Sequence, residues 1–196
     1  MKKILFLVTL GALLFTLPLS AKPPREPSFS LDGLDGKTYS SQSLRGKIVF
    51  LSFFSRSCQP CKQEVPLLNK LQSQYPSTLV VLGVSFMEED PETIKKLVAE
   101  WGIQYPACID KSGIAANLFE VKVLPRGFLL DENGVLIADY KGMDEKNFKD
   151  LSAKIASRSN ALLQRRELCC AFYVEPNFEV QEGDPSLAQK IPPQIA

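Results

Sequence analysis

The stretch LSFFSRSCQPCKQEVPLL, Leu51 to Leu68, sets two cysteines three positions apart behind an apolar run. That run, Ile48 to Phe54, reads IVFLSFF. It is short, apolar and β-rich, as expected of a strand buried on both faces. After the cysteines, Val65, Leu67, Leu68 and Leu71 recur at helical spacing. A helix beginning at about Pro60 puts Cys58 at its N-terminus, where unpaired N–H groups and the helix dipole favour negative charge. A thiol there loses its proton more easily, and the thiolate is the nucleophile. Cys61 lies one turn on, on the same face and within disulfide reach. Pro60 suits the first turn because its missing N–H would be unpaired there anyway. The pair therefore reads as redox-active: Cys58 attacks a substrate disulfide and Cys61 resolves the mixed disulfide. In reverse, the same pair donates its disulfide.

Other uses of two close cysteines fit less well. A purely structural disulfide at this spacing closes a very small loop and gains little chain entropy. Zinc needs four ligands, and the only other cluster, Cys169-Cys170, consists of adjacent residues that chelate poorly. A copper site would want a histidine or methionine partner, and none is nearby. The chain contains no histidine at all, which removes Cys–His and Ser–His nucleophile pairs and histidine metal ligands. No metal and no separate cofactor is expected beyond the cysteine pair itself.

Outward from this centre, strands alternate with helices. Phe29 to Leu31, a DGLDG turn and Lys37 to Tyr39 read as a hairpin. Leu79 to Phe86 is a second buried strand. Asp90-Pro91-Glu92-Thr93 opens a helix with an acidic cap and proline at its first position, its apolar side carrying Ile94, Leu97, Val98 and Trp101. Pro106 to Asp110 is a brief extended piece, and Ile114 to Phe119 is a short helix. Gly127 to Leu130 and Val135 to Tyr140 flank an Asp-Glu-Asn-Gly turn. Asp144 begins a helix with Phe148, Leu151 and Ile155 on one side. This order predicts an α/β fold with a central mixed sheet covered by helices on both faces.

The chain has 196 residues and a formal net charge of +1, enough for one domain with a core and nothing that steers it to nucleic acid. Lys2 and Lys3, a short apolar run from Ile4 to Phe15, and Leu19-Ser20-Ala21 have the form of a cleaved export signal over residues 1–21. An uncleaved membrane anchor is the alternative, though the run is short for a spanning helix. Export leads to an oxidising compartment where cysteines pair. Residues 22–28 are expected to be a flexible lead-in, 29–160 the domain, 161–174 an extension, and 175–196 a disordered tail. Cys108 falls in an apolar piece and reads as a small buried hydrophobe. Cys169 and Cys170 in the extension form a possible second redox or dimerisation site. An odd cysteine count leaves at least one thiol unpaired within a monomer.

The ordered set of the hairpin, the CxxC with Glu64 and Pro66 behind it, GVSF with its acidic helix insert, and LPRGFLLDENG resembles the thioredoxin fold. More narrowly, it resembles the exported TlpA/ResA-like thiol-disulfide oxidoreductases of the redoxin group, over about Phe29 to Ile155. The resemblance implies a cis-proline facing the cysteines. The matching position is Pro125, whose preceding residue Leu124 would offer its backbone to an extended substrate chain. It also implies disulfide-bearing exported proteins as substrates, apocytochrome c often among them in that family, and a membrane or periplasmic electron donor. There are departures. Ser57 stands where the family has tryptophan, and Arg56 before it would stabilise a thiolate if it pointed that way. Ser52 stands where thioredoxins keep a buried carboxylate, and a serine cannot take the proton of Cys61 as a carboxylate can. Glu64 is the nearest acidic residue, expected on the helix surface or in a structural role. Gln59 and Pro60, between the cysteines, tune the potential.

The leading expectation is an exported thiol-disulfide oxidoreductase working in the reducing or isomerising direction. An oxidase of folding proteins is the alternative within the class. A peroxiredoxin would need a proline-bearing pocket before its cysteine, whereas FFSRS contains none. A non-catalytic binding module of the same fold is the third possibility.

Overall fold

The computed structural model describes residues 25–86 and 90–172, with only the backbone described for 169–172. The expected export signal and the C-terminal tail lie outside the described residues. The elements, in chain order, are β1 (Ser30–Gly33), β2 (Thr38–Ser40), β3 (Ile48–Phe54), α1 (Gln59–Gln74), β4 (Leu79–Ser85) and α2 (Pro91–Trp101), followed by β5 (Ala107–Ile109), α3 (Ile114–Leu118), β6 (Arg126–Leu130), β7 (Leu136–Lys141) and α4 (Glu145–Phe172).

The strands form one sheet in the order β2-β1-β5-β4-β3-β6-β7. Strands β3, β4 and β5 run parallel, while β6 and β7 on one side and β1 and β2 on the other are antiparallel. The sheet is mixed and flanked by helices, as in the thioredoxin-like fold. Every residue of β3 is buried, which is why its sequence carries no polar alternation. Its two faces still differ. Ile48, Phe50 and Phe54 enter the core under α1, α2 and α4, whereas Val49, Leu51 and Phe53 enter the core under α3 and the N-terminal segment. Fully burying each large apolar side chain contributes roughly 1.5–3 kcal/mol, so this central strand anchors both layers.

A row of small residues crosses the sheet beside the site. Ser52 of β3 sits opposite Gly83 of β4 and Gly127 of β6. A Cβ on Gly127 would stand 2.5 Å from the Phe50 ring, and one on Gly83 would meet Phe54 and Tyr105 at 3.1 and 3.2 Å. The absent side chains leave room for these aromatic rings on the α1 face.

One expectation changes. Residues 25–28 are held against the sheet rather than free: the Leu136 N–H donates to the Arg25 carbonyl, Pro27 is buried, and Arg45 pairs with Glu26 at 3.1 Å. For the stretch from 161, either a lengthening of the last helix or a separately docked element was open, and the first holds. It continues α4 without a break, because nothing from Asn160 to Phe172 interrupts helical backbone. Leu151, Ile155 and Ser159 of α4 are buried, with Ser159 accepting from Thr78 at 2.8 Å. Leu162 still packs against the core, whereas Leu163 and Leu168 are exposed.

Candidate active site

Strand β3 runs into the turn Ser55–Ser57, and the turn delivers Cys58 as the N-cap of α1. The Cys58 N–H donates to the Ser55 carbonyl at 3.0 Å, and the Cys58 sulfur accepts from the Cys61 N–H at 3.2 Å. Cys58 and Cys61 are joined in a disulfide, with their Cα atoms 5.3 Å apart. The first turn of α1 has no acidic residue to compete for its free N–H groups, so a negative sulfur at Cys58 has that donor field to itself. Cys58 is 8% exposed and Cys61 4%. Of the two, Cys58 is the more exposed residue. Gln59 and Pro60 open the helix and are exposed, as is Arg56 in the preceding turn.

The register of β3 with β6 pairs Phe53 with Arg126. Pro125, one residue earlier, therefore stands at the same end of the sheet as Cys58. The Leu124–Pro125 peptide bond is cis. Leu124 packs against the core cluster that contains both cysteines, and the Pro125 carbonyl accepts from the Gly142 N–H at 3.2 Å.

Glu64 is not on the helix surface. It is 7% exposed on the face of α1 that also buries Cys61, Val65, Leu68 and Leu71. Burial pushes its carboxyl up to about 7, opposed by the backbone N–H of Met143, which donates to it. Its Oε1 is buried with no partner among the described residues. The buried Tyr105 phenol is raised first by its own burial and second by the charge of Glu64, which places Tyr105 in the surroundings of Glu64. Sequence spacing held the signal: Glu64 falls three residues after Cys61 and four before Leu68, inside the apolar stripe. Met143 and Tyr105 carried no such signal, because they come from distant elements. Ser52 is buried at 6% exposure in the small-residue row.

The remaining cysteines are elsewhere. Cys108 is wholly buried on β5, and burial raises its thiol to about 12. It is neither nucleophile nor partner at neutral pH. Cys169 and Cys170 lie near the end of α4, and their side chains are outside the described residues. The backbone nevertheless constrains them. Met143, just before α4, contacts Glu64, whereas Arg158 on the same helix pairs with Glu132 at 3.0 Å at the opposite end of the sheet. At 1.5 Å per residue, α4 carries Cys169 about 35 Å away from the disulfide, far outside the reach of a bond to Cys58 or Cys61 of the same chain.

The AhpC/TSA family model matches residues 25–139. The thioredoxin-like protein YneN of Bacillus subtilis is 38% identical over 112 residues, 56% of this chain and 65% of that one. The thiol-disulfide oxidoreductase ResA of Bacillus thuringiensis is 31% identical over 151 residues, covering 73% of this chain and 87% of the relative. A Chlorobium tepidum crystal structure, provisionally named thiol:disulfide interchange protein DsbE, superposes with a TM-score of 0.64 at 26% identity. The match spans 71% of this chain and 98% of that one.

Proposed function

The chain belongs to the AhpC/TSA family, and from that membership we propose how it works as a thiol-disulfide oxidoreductase: as a reductant of disulfides in exported proteins. The observation that carries this reading is the Cys58–Cys61 disulfide at the N-cap of α1 with the buried carboxyl of Glu64 one turn behind it.

The cycle starts from the dithiol, made when a donor protein delivers two electrons to the disulfide. Cys58 then reacts as a thiolate stabilised by the N–H of Cys61 and the helix N-terminus. It attacks one sulfur of the substrate disulfide, and the other leaves as a thiolate that takes up a proton. Cys61 next loses its proton and attacks the Cys58 sulfur of the mixed disulfide. The second substrate thiol departs, and the Cys58–Cys61 bond re-forms. Two electrons have passed to the substrate. Glu64 is the base that receives the Cys61 proton, since it shares the buried face and its carboxyl titrates near neutrality. Leu124, in the turn into β6, pairs through its backbone with the extended substrate chain. Export fits the sequence signal at residues 1–21. Among the described residues no helix is long and apolar enough to cross a membrane.

The reduction potential of the Cys58–Cys61 pair tests the direction, measured by equilibration in thiol buffers with Cys169 and Cys170 replaced. A value near about −270 mV supports a reductant, and one near about −120 mV makes the protein a donor of disulfides. If the mutual disulfide never forms in solution, or if peroxide is consumed faster than disulfides, the reading fails.

A further inference from the structure

Next to the Leu124–Pro125 turn, a cavity of about 380 Å³ opens on the α3 face of the sheet. Its floor is apolar: Phe119 and Phe128, with ring centroids 4.8 Å apart, and Leu136. Its rim is charged. Arg25 and Glu120 pair with each other at 3.7 Å, and Arg126 is tied to Asp139. Two further cations on the rim, Lys122 and Lys141, have no ion-pair partner among the described residues. The rim therefore carries an uncompensated positive charge.

Arg126 is the fixed point of this cavity. Its side chain is 14% exposed, its guanidinium lies over the Phe128 ring at 5.4 Å, and Asp139 holds one Nη. Its Nε–H is buried without an acceptor among the described residues. An unpaired buried donor is costly, and a ligand oxygen that reaches it recovers that cost.

Position connects the cavity to the reaction. Val123, on the rim, directly precedes Leu124, and Arg126 directly follows Pro125. A substrate chain pairing with the Leu124 backbone runs past the cavity within a residue or two. Side chains of an extended chain alternate in direction, so those next to the attacked cysteine on one face turn toward it. The short methylene stem of a glutamate fits the aromatic floor, with its carboxylate among Lys122, Lys141 and the Arg126 Nε.

We propose that this cavity is a specificity subsite for an acidic side chain, Glu or Asp, within two residues of the target cysteine of the substrate. The proposal rests on the oxidoreductase reading above and names the kind of substrate which that site prefers. Arg126, Lys122 and Lys141 are its specificity-determining residues. Because the cations are partly exposed, the preference weakens as salt screens them.

The test uses two peptides, each with one internal disulfide, identical except for Glu or Gln beside the attacked cysteine. Reduced protein is mixed with each, and kcat/KM for disulfide reduction is compared at low and high salt. The expected result is a preference for the Glu peptide of about tenfold at low salt. That ratio falls toward unity at high salt and in the Lys122→Gln/Lys141→Gln double variant, which leaves the Arg126–Asp139 pair in place. Equal rates for both peptides with the unaltered protein overturn the subsite and leave the oxidoreductase reading standing. Reduction of neither peptide overturns that reading, and the subsite falls with it. A tenfold preference that survives the double variant overturns the assignment to these lysines.

Discussion

At the scale of single residues, Glu64 decides more than its sequence context suggests. A carboxyl at 7% exposure with an unpartnered oxygen favours the protonated form, and its folded-state pKa of about 7 lies above the ordinary 4.5. Below about pH 4.5 both folded and unfolded chains hold the proton, and the contribution to stability is complete. As pH rises, the unfolded chain ionises first while the folded chain retains the proton. Stability is therefore lost up to about pH 7, by an amount on the order of 3 kcal/mol. Denaturant titrations across this window should show the loss in the native sequence and a flat profile in Glu64→Gln. The same group predicts a kinetic signature. Resolution of the mixed disulfide should accelerate as pH passes about 7, when Glu64 becomes able to accept the Cys61 proton. In Glu64→Gln, stopped-flow release of the second substrate thiol should slow by about 10²-fold and lose this inflection. The cysteine pair was legible because CxxC after a buried strand fixes both a helix start and a sulfur chemistry. The depth of Glu64 was legible only in part. Its spacing matched the buried stripe, but its charge argued for the surface, and packing beneath the loop that carries Met143 prevailed over that preference.

At the scale of elements, the site depends on how closely three strands let aromatic rings approach. Gly127 has no positive φ and no turn to make; it is glycine because the Phe50 ring occupies the place of its Cβ. Phe50 is 1% exposed and has Tyr140 beside it at 6.1 Å between centroids, so the ring has little room to retreat. Gly127→Ala should lower unfolding stability by about 1–3 kcal/mol through overpacking, measured by chemical denaturation of the oxidised protein. Should alanine be accepted without loss, the close approach of β6 to this ring is not what the position requires. Strand and helix identities followed from local signals: apolar runs, helical spacing, turns and caps. The Asp90 cap and Pro91 marked the start of α2, and the largely apolar run of β3 marked a strand buried on both faces. Sheet order did not follow from any local pattern. The pairing of β1 with β5, which carries the hairpin to the far side of β4, joins residues far apart in sequence.

For the whole molecule, the long axis of α4 sets the polarity. The helix starts beside the site, through Met143 and Glu64, packs along the sheet as far as Leu162, and then projects past the opposite end. Leu162, Leu163 and Leu168 fall at helical spacing in the sequence, and the helix runs on through them, with Leu162 packed against the core and the other two exposed. Removing residues after Gln164 should leave the thermal midpoint of the domain within a few degrees of the full chain, since surface changes away from buried contacts cost about 0.5 kcal/mol or less. Differential scanning calorimetry of the shortened chain measures this, and a drop of ten degrees or more would mean that the projecting end is packed in solution. The polarity also has a practical use. At about 1.5 Å per residue, the 28 residues of α4 span about 42 Å. A molecule fixed to an electrode or a resin through its C-terminal side would be held at arm's length, with its sulfur pair facing the bulk solution. Attachment at the turn before Cys58 would instead press the reactive end against the support and silence it.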